Sequence, residues 1–322
     1  MSRGGAKEED EEMASAGAGE ARKPLFSFGI VADIQYGDLD TAGPDRNGHI
    51  QRYREAPGKL EKAVEAFNSR KKEILYVLTL GDIVEGNATL ELTYKDLQEV
   101  LVRLEKLKLP VYHLLGNHCL NVTREIIMKE LGLTARYYRK DIYPGWALVV
   151  LDSMDLSVVW HSDAEQYKEA MAFLEEHPLV TDESNQMVEW NGGIGSKQKA
   201  WLAGVLQEAQ RDRTRLIVAS HIPILKGSAP DTHLMWNFEE VASMLLGCPA
   251  VVLYICGHYH KGGYARQGNQ HFVTVQSIVE APTGSEAHGF VHVYDDKITI
   301  EGHGYVDSRV LEINGPEIPQ VA

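Results

Sequence analysis

The ten residues EILYVLTLGD, Glu73 to Asp82, decide how this chain is read. The apolar run is too short for a helix of ordinary length and stops at a glycine followed by a carboxylate, so it reads as a buried strand with a polar group at its end. Working outward, YREAPGKLEKAVEAFNSR (Tyr53–Arg70) places Leu60, Val64 and Phe67 at helical spacing, and LFSFGIVAD (Leu25–Asp33) is another apolar run that ends in a carboxylate. Downstream, TYKDLQEVLVRLEKLKLP aligns Leu97, Val100, Leu101, Leu104 and Leu107 on one face. Thr93 and Asp96 read as a capping pair at its start, and Pro110 follows its end. VYHLLGNH (Val111–His118) is a third strand, closing on Asn117 and His118. Strand, helix, strand, helix, strand implies a parallel sheet covered by helices. Ligand sites of open α/β sheets gather beyond the carboxyl ends of the strands. Three successive strand ends carrying polar groups therefore form a pattern.

The remaining chain extends it. WALVVLDS is strand-like, and TRLIVASHIP and AVVLYICGHYH are apolar runs ending in His221 and in His258 and His260. Short strand patterns dominate from His271 to His303. Ser196 reads as the cap of a helix with Trp201, Leu202, Val205 and Leu206 on its inner face. Residues 154–195 read as an irregular, polar insertion beside the site. The expected organisation is a disordered acidic tail over 1–24 and one domain over 25–322.

With 322 residues, 44% apolar and 24% charged, the chain has ordinary globular composition. No apolar run approaches the ~20 residues of a membrane span, and the N-terminus shows no apolar signal core. Three cysteines are too few for a disulfide framework and suit a reducing compartment. These readings favour a cytoplasmic location. A net charge of −14 argues against a nucleic-acid surface. A small phosphate substrate stays compatible with it, because bound cations supply local positive charge.

The polar strand-end residues are Asp33, Gln35, Asp82, Asn117, His118, His221, His258 and His260. All offer oxygen or imidazole and none a thiol, which suits borderline-hard divalent metals over a structural zinc. Gly257 is expected to permit the turn that fans His258 and His260 toward neighbouring metals. The bland alternatives are turn-capping roles for Asp33, Asp82 and Asn117, and satisfied structural roles for the histidines.

The ordered series DIQ, GDIVEG, GNH, SHIP and GHYH resembles the calcineurin-like metallophosphoesterase superfamily. Longer strings, ADIQYGDLD, WNGGIGSKQKAWL, HLMWNFEEV and CGHYHKGGY with IVEAP, narrow the resemblance to the manganese-dependent ADP-ribose/CDP-alcohol diphosphatases. The resemblance implies an α/β fold, a four-layer α/β/β/α sandwich of two mixed sheets flanked by helices, with the strands from His271 onward completing the second sheet. It implies two divalent ions, manganese first, with magnesium, iron or zinc as alternatives. Asp33, Gln35, Asp82 and His260 would hold one; Asp82, Asn117, His221 and His258 the other. His118 would face the substrate phosphate as the catalytic residue. The superfamily usually has histidine where Gln35 stands; an amide oxygen is a harder donor and favours manganese there.

The implied substrates are nucleotide diphosphates: ADP-ribose and CDP-alcohols such as CDP-choline, CDP-ethanolamine and CDP-glycerol. No nucleic-acid or membrane partner is expected, and the expected state is a monomer. Arg52 and Arg54 are candidate phosphate contacts, with a solvated helix start as the alternative. Trp236 and Asn237 are candidates for base or ribose, with a core tryptophan and a helix cap as the alternative. The loop TAGPDRNGHI lacks the aromatic residue expected near the base, leaving Pro44 or His49 to serve. His49, His113, His233 and His288 are read as structural or surface residues, and Glu85 and Glu280 receive no role. A phosphomonoesterase, a cyclic-nucleotide phosphodiesterase and a non-catalytic scaffold are the competing functions.

Overall fold

The computed structural model describes residues 22–313; the expected acidic tail lies, up to residue 21, outside them. In chain order the elements are β1 (Phe26–Val31), α1 (Ala56–Ser69), β2 (Val77–Thr79), α2 (Leu90–Leu104), β3 (Val111–His113), α3 (Arg124–Glu130), β4 (Tyr138–Tyr143), β5 (Trp146–Val150), α4 (Glu165–Glu176), α5 (Ser196–Arg211), β6 (Arg215–Ala219), α6 (Phe238–Leu246), β7 (Val251–Cys256), β8 (Gly263–Gln267), β9 (Gln270–Thr274), β10 (Ala287–Val293), β11 (Lys297–Gly304) and β12 (Arg309–Glu312). They form two six-stranded sheets, ordered β12-β11-β10-β1-β2-β3 and β4-β5-β6-β7-β9-β8.

β1, β2 and β3 pair in parallel, as the alternation of strand and helix requires. The late strands divide. β9 joins the second sheet beside β7, but β10 pairs antiparallel with β1 and brings β11 and β12 into the first. This corrects the expectation that all strands beyond His271 complete the second sheet. All six residues of β1 are buried. Such a strand needs a backbone partner on each side, and β10 supplies the one that β2 does not.

Alternation along β5 shows the layering. Trp146, Leu148 and Val150 join the core shared with β1, β2, α1 and α2, whereas Ala147 and Val149 join the core under α5 and α6. The two sheets thus face each other with helices outside, a four-layer α/β sandwich.

Three local readings are corrected. The cap of α2 is Thr89, whose hydroxyl accepts from the Leu92 amide. Thr93 and Asp96 lie inside the helix and accept instead from the Asn87 amide and side chain. The cap position of α5 is Gly195, and the Ser196 amide donates to Glu169. Residues 154–195 are not wholly irregular, because they contain α4. Only Ala170 in it is fully buried, although Tyr167, Ala170, Met171 and Leu174 fall at helical spacing.

Candidate metal centre

Asp33, Asp82 and Asn117 follow β1, β2 and β3 of one sheet; His221, His258 and His260 follow β6 and β7 of the other. The carboxyl ends of both sheets therefore open on one place. Asp33, Gln35, Asp82 and His258 have backbone φ of 49, 42, 43 and 71°, a left-handed region that residues with side chains rarely adopt. Four such residues among eight candidates mark a place where geometry is held against local preference. Gly257 is not left-handed; the turn falls on His258 itself. Its hydrogen does another job: a Cβ there would stand 2.4 Å from Asp33 Oδ2, and a Cβ at Gly116 would stand 2.1 Å from Asp82 Oδ1. Both positions make room for a carboxylate.

The donor atoms converge. His221 Nε2 lies 3.0 Å from Asp82 Oδ2, 3.1 Å from Asn117 Oδ1 and 3.2 Å from His258 Nδ1. The Leu80 carbonyl takes the Nδ1 proton of His221 at 2.8 Å. Asn191 Oδ1 takes the Nε2 proton of His258 at 2.8 Å; its amide nitrogen is spent on the Gln186 and Thr232 carbonyls. The two facing nitrogens are thus lone pairs when the rings are neutral, and a proton on His221 or a metal cation between them makes that contact favourable. Burial works to lower the pKa of His221, yet Asp82 and Asp33 outweigh it and raise it to about 9. Burial and neighbouring imidazoles drive His258 well below its ordinary value, leaving a neutral ligand. Burial pushes the Asp33 carboxyl up. On Asp82 burial is overcome by His221 and His118, which hold it low.

Beside this set, His260 Nε2 lies 3.7 Å from Asp33 Oδ1. Gln35 is 1% exposed, and its Oε1 has no hydrogen-bond partner. A buried amide oxygen without a donor beside Asp33 and Asp82 is free to ligate a cation. His118 stands at the rim, with its side chain 29% exposed, and its amide donates to Asp82 Oδ1 at 2.9 Å.

The substrate-contact candidates are spent elsewhere. Arg54 pairs with Asp38 and Asp40 on the surface. Arg52 donates to the carbonyls of Ile50 and Glu280. Trp236 is buried, its indole on the Val188 carbonyl, and the Asn237 amide clasps the Ile194 backbone at 2.9 and 3.1 Å. Cavities of about 500 and 740 Å³ line the Tyr143–Trp146 turn and α6, and neither shares a residue with the convergent set.

Four residues were missed in sequence. Glu280 Oε1 accepts from His260 Nδ1 at 2.9 Å and from His49 Nδ1 at 2.7 Å. His118 Nδ1 lies 2.9 Å from the Glu85 carbonyl and 3.1 Å from its carboxylate. Asn191 holds His258. Glu280 had a signal, since a carboxylate inside the apolar SIVEAP demands a buried partner. Asn191 and His49 had none.

Oxygen and imidazole donors gathered where two sandwiched sheets meet form a candidate centre for divalent cations, the donor set of a metal-dependent hydrolase. The calcineurin-like phosphoesterase family model matches residues 26–262, and the chain belongs to that family. It is 35% identical to a manganese-dependent ADP-ribose/CDP-alcohol diphosphatase of Arabidopsis thaliana, covering 91% of this chain and 98% of the relative. A mouse protein of the same name is 31% identical over 95% of this chain and 99% of its own. A dimetal phosphatase from Danio rerio superposes with a TM-score of 0.83 at 26% identity, over 91% of this chain and all of that one.

Proposed function

We propose that the chain is a manganese-dependent hydrolase that cuts the diphosphate of ADP-ribose and CDP-alcohols into a nucleoside monophosphate and a phosphorylated remainder. The observation that carries this is the facing pair of imidazole lone pairs, His221 Nε2 and His258 Nδ1, enclosed by Asn117 and Asp82. Asp82, Asn117, His221 and His258 would hold one cation, and Asp33, Gln35, Asp82 and His260 would hold the other. When bound, two divalent cations supply Lewis-acid stabilisation of phosphoryl charge and acidify water for attack.

The protein's own part is positioning and proton control. Both Glu85 acceptors face His118 Nδ1, so that nitrogen carries a proton and Nε2 is turned to the substrate. Protonated, Nε2 donates to the leaving phosphate oxygen and stabilises charge there. Glu280 fixes the tautomer of His260 so that Nε2 faces Asp33. Two cations bring four positive charges and Asp33 with Asp82 return two, a surplus that attracts an anionic diphosphate into an acidic protein. Of the four substrate-contact candidates, Arg52 remains beside the site through the Glu280 carbonyl. The three cysteines are buried free thiols, in keeping with a reducing, cytoplasmic setting. No helix among the described residues is long and apolar enough to cross a membrane.

The test is hydrolysis of ADP-ribose, CDP-choline, AMP and cyclic AMP by the full chain with manganese. Cleavage of the first two is expected. Turnover of AMP or cyclic AMP alone would replace the substrate assignment, and metal binding without any turnover would revive the scaffold.

A further inference from the structure

Away from the centre just described, a second group of metal-binding side chains sits on the helix-facing side of the first sheet. His288 on β10 is the cross-strand partner of His303 on β11. Glu286 precedes β10, and its Oε2 lies 3.8 Å from His288 Nδ1. One donor atom from each of Glu286, His288 and His303 falls within 4.8 Å of the others. The pairing alone would be unremarkable, but the state of His288 is not. Its ring is 0% exposed, packed edge-on to Phe67 and Phe290, and neither nitrogen has a hydrogen-bond partner. A neutral imidazole carries one N–H and one lone pair, and burying both without a partner is costly.

We propose that Glu286, His288 and His303 form a further divalent-metal site of the zinc class. The surroundings are built for it. Glu301 accepts from His303 Nε2 at 3.0 Å, which fixes that ring's tautomer and leaves Nδ1 as the donor. Glu301 is itself held by Arg70 and by His292. Among the described residues the Glu286 carboxylate has no hydrogen bond, so it is free to ligate. Two imidazoles and one carboxylate are a zinc-class donor set with one position left for water. Tetrahedral ligands ~2.1 Å from zinc stand roughly 3.4 Å apart, close to the separation of Glu286 and His288. The rings of His288 and His303 lie parallel with centroids 4.7 Å apart, so binding requires the His303 ring, 37% exposed, to turn toward its neighbour and to remake its bond to Glu301 in the turned position. The ion would join the β10–β11 hairpin to the segment before β10.

The test counts zinc equivalents taken up by the metal-free full chain, by competition with a chromogenic chelator, for wild type, His288→Phe and His303→Gln. His288→Phe keeps an aromatic ring in its aromatic surroundings; His303→Gln alters a half-exposed residue. Each variant is expected to bind one equivalent fewer than wild type and to keep manganese-dependent turnover within about two-fold. Counting equivalents by difference keeps this result separate from the assignment of diphosphatase activity. An equal count in all three proteins would overturn the proposal. Should His288→Phe not fold, an unchanged count in His303→Gln overturns it alone.

Discussion

At the scale of single residues the centre depends on groups that have no alternative use. Asn117 Oδ1 meets His221 Nε2 at 3.1 Å, and alanine removes that oxygen. Asn117→Ala is therefore expected to weaken one metal and lower turnover by at least ~100-fold, the scale of losing a catalytic electrostatic group; metal titration with steady-state kinetics checks both. Near-normal rates would remove Asn117 from the ligand set. Glu85 acts through His118 rather than on the substrate. Glu85→Gln retains the backbone acceptor and weakens only the carboxylate contact, so kcat is expected to fall roughly ten-fold with KM little changed. A rise in KM alone would mean that Glu85 shapes binding instead. The candidate ligands were legible in sequence because they lie at or just beyond the ends of apolar strands, where a polar group is conspicuous. Asn191 and His49 were not, because they reach the centre through loops whose course depends on tertiary packing, whereas Glu280 was marked only by its apolar setting, which calls for a partner without naming it. Trp236 and Asn237 were open in sequence between ligand contacts and a core tryptophan with a helix cap, and the packing of residues 154–195 shows their polar atoms on backbone.

Among the elements, β3 shows how a short strand carries a titrating load. It has three residues, Val111–His113, and delivers Asn117 and His118 to the centre. His113 is 8% exposed and shares a 2.8 Å hydrogen bond with Thr79 on β2. Burial lowers its pKa from 6.5 to about 4. The unfolded chain binds this proton more readily than the folded one, so the stability tied to neutral His113 is complete above pH 6.5 and declines as pH falls toward 4. Between about pH 7.5 and about pH 5 the wild type is expected to lose roughly 2 kcal/mol more than His113→Asn. Urea unfolding of the metal-free proteins at both pH values measures it, and equal losses would mean that His113 titrates normally in the fold. Strands of this kind were legible in sequence, as were α1, α2 and α5, because apolar period and turn residues agree. The edge strands β4, β8 and β12 were not: β4, YRKDIY, has no buried residue, and only pairing to β5 makes it a strand. The choice of β10 over a second-sheet position was equally hidden, since strand partners at long sequence separation leave no local signal.

For the molecule as a whole, the centre is also a joint. Asp33, Asp82 and Asn117 come from the ends of one sheet and His221, His258 and His260 from the other, so each proposed cation is held from both sides. Without metal, the pocket gathers buried carboxylates against one imidazole raised to about 9 and another kept neutral, a poorly balanced arrangement between two otherwise well-packed sheets. Ligands that bind only the folded state stabilise it by mass action, about 2.7 kcal/mol at one hundred times Kd. Manganese at that excess is expected to raise Tm by on the order of 5 °C over chelated protein. Asp82→Asn weakens the ligand shared by both proposed cations, and most of that increment should vanish in it, while the unliganded Tm also falls because His221 loses its buried charge partner. Hydrogen exchange adds the spatial half of the test: protection should grow at the carboxyl ends of β1 and β2 and of β6 and β7 together. Protection confined to one sheet, or a Tm indifferent to manganese, would mean that the sandwich is closed by its apolar core alone and that the metals serve chemistry without holding the two sheets to each other.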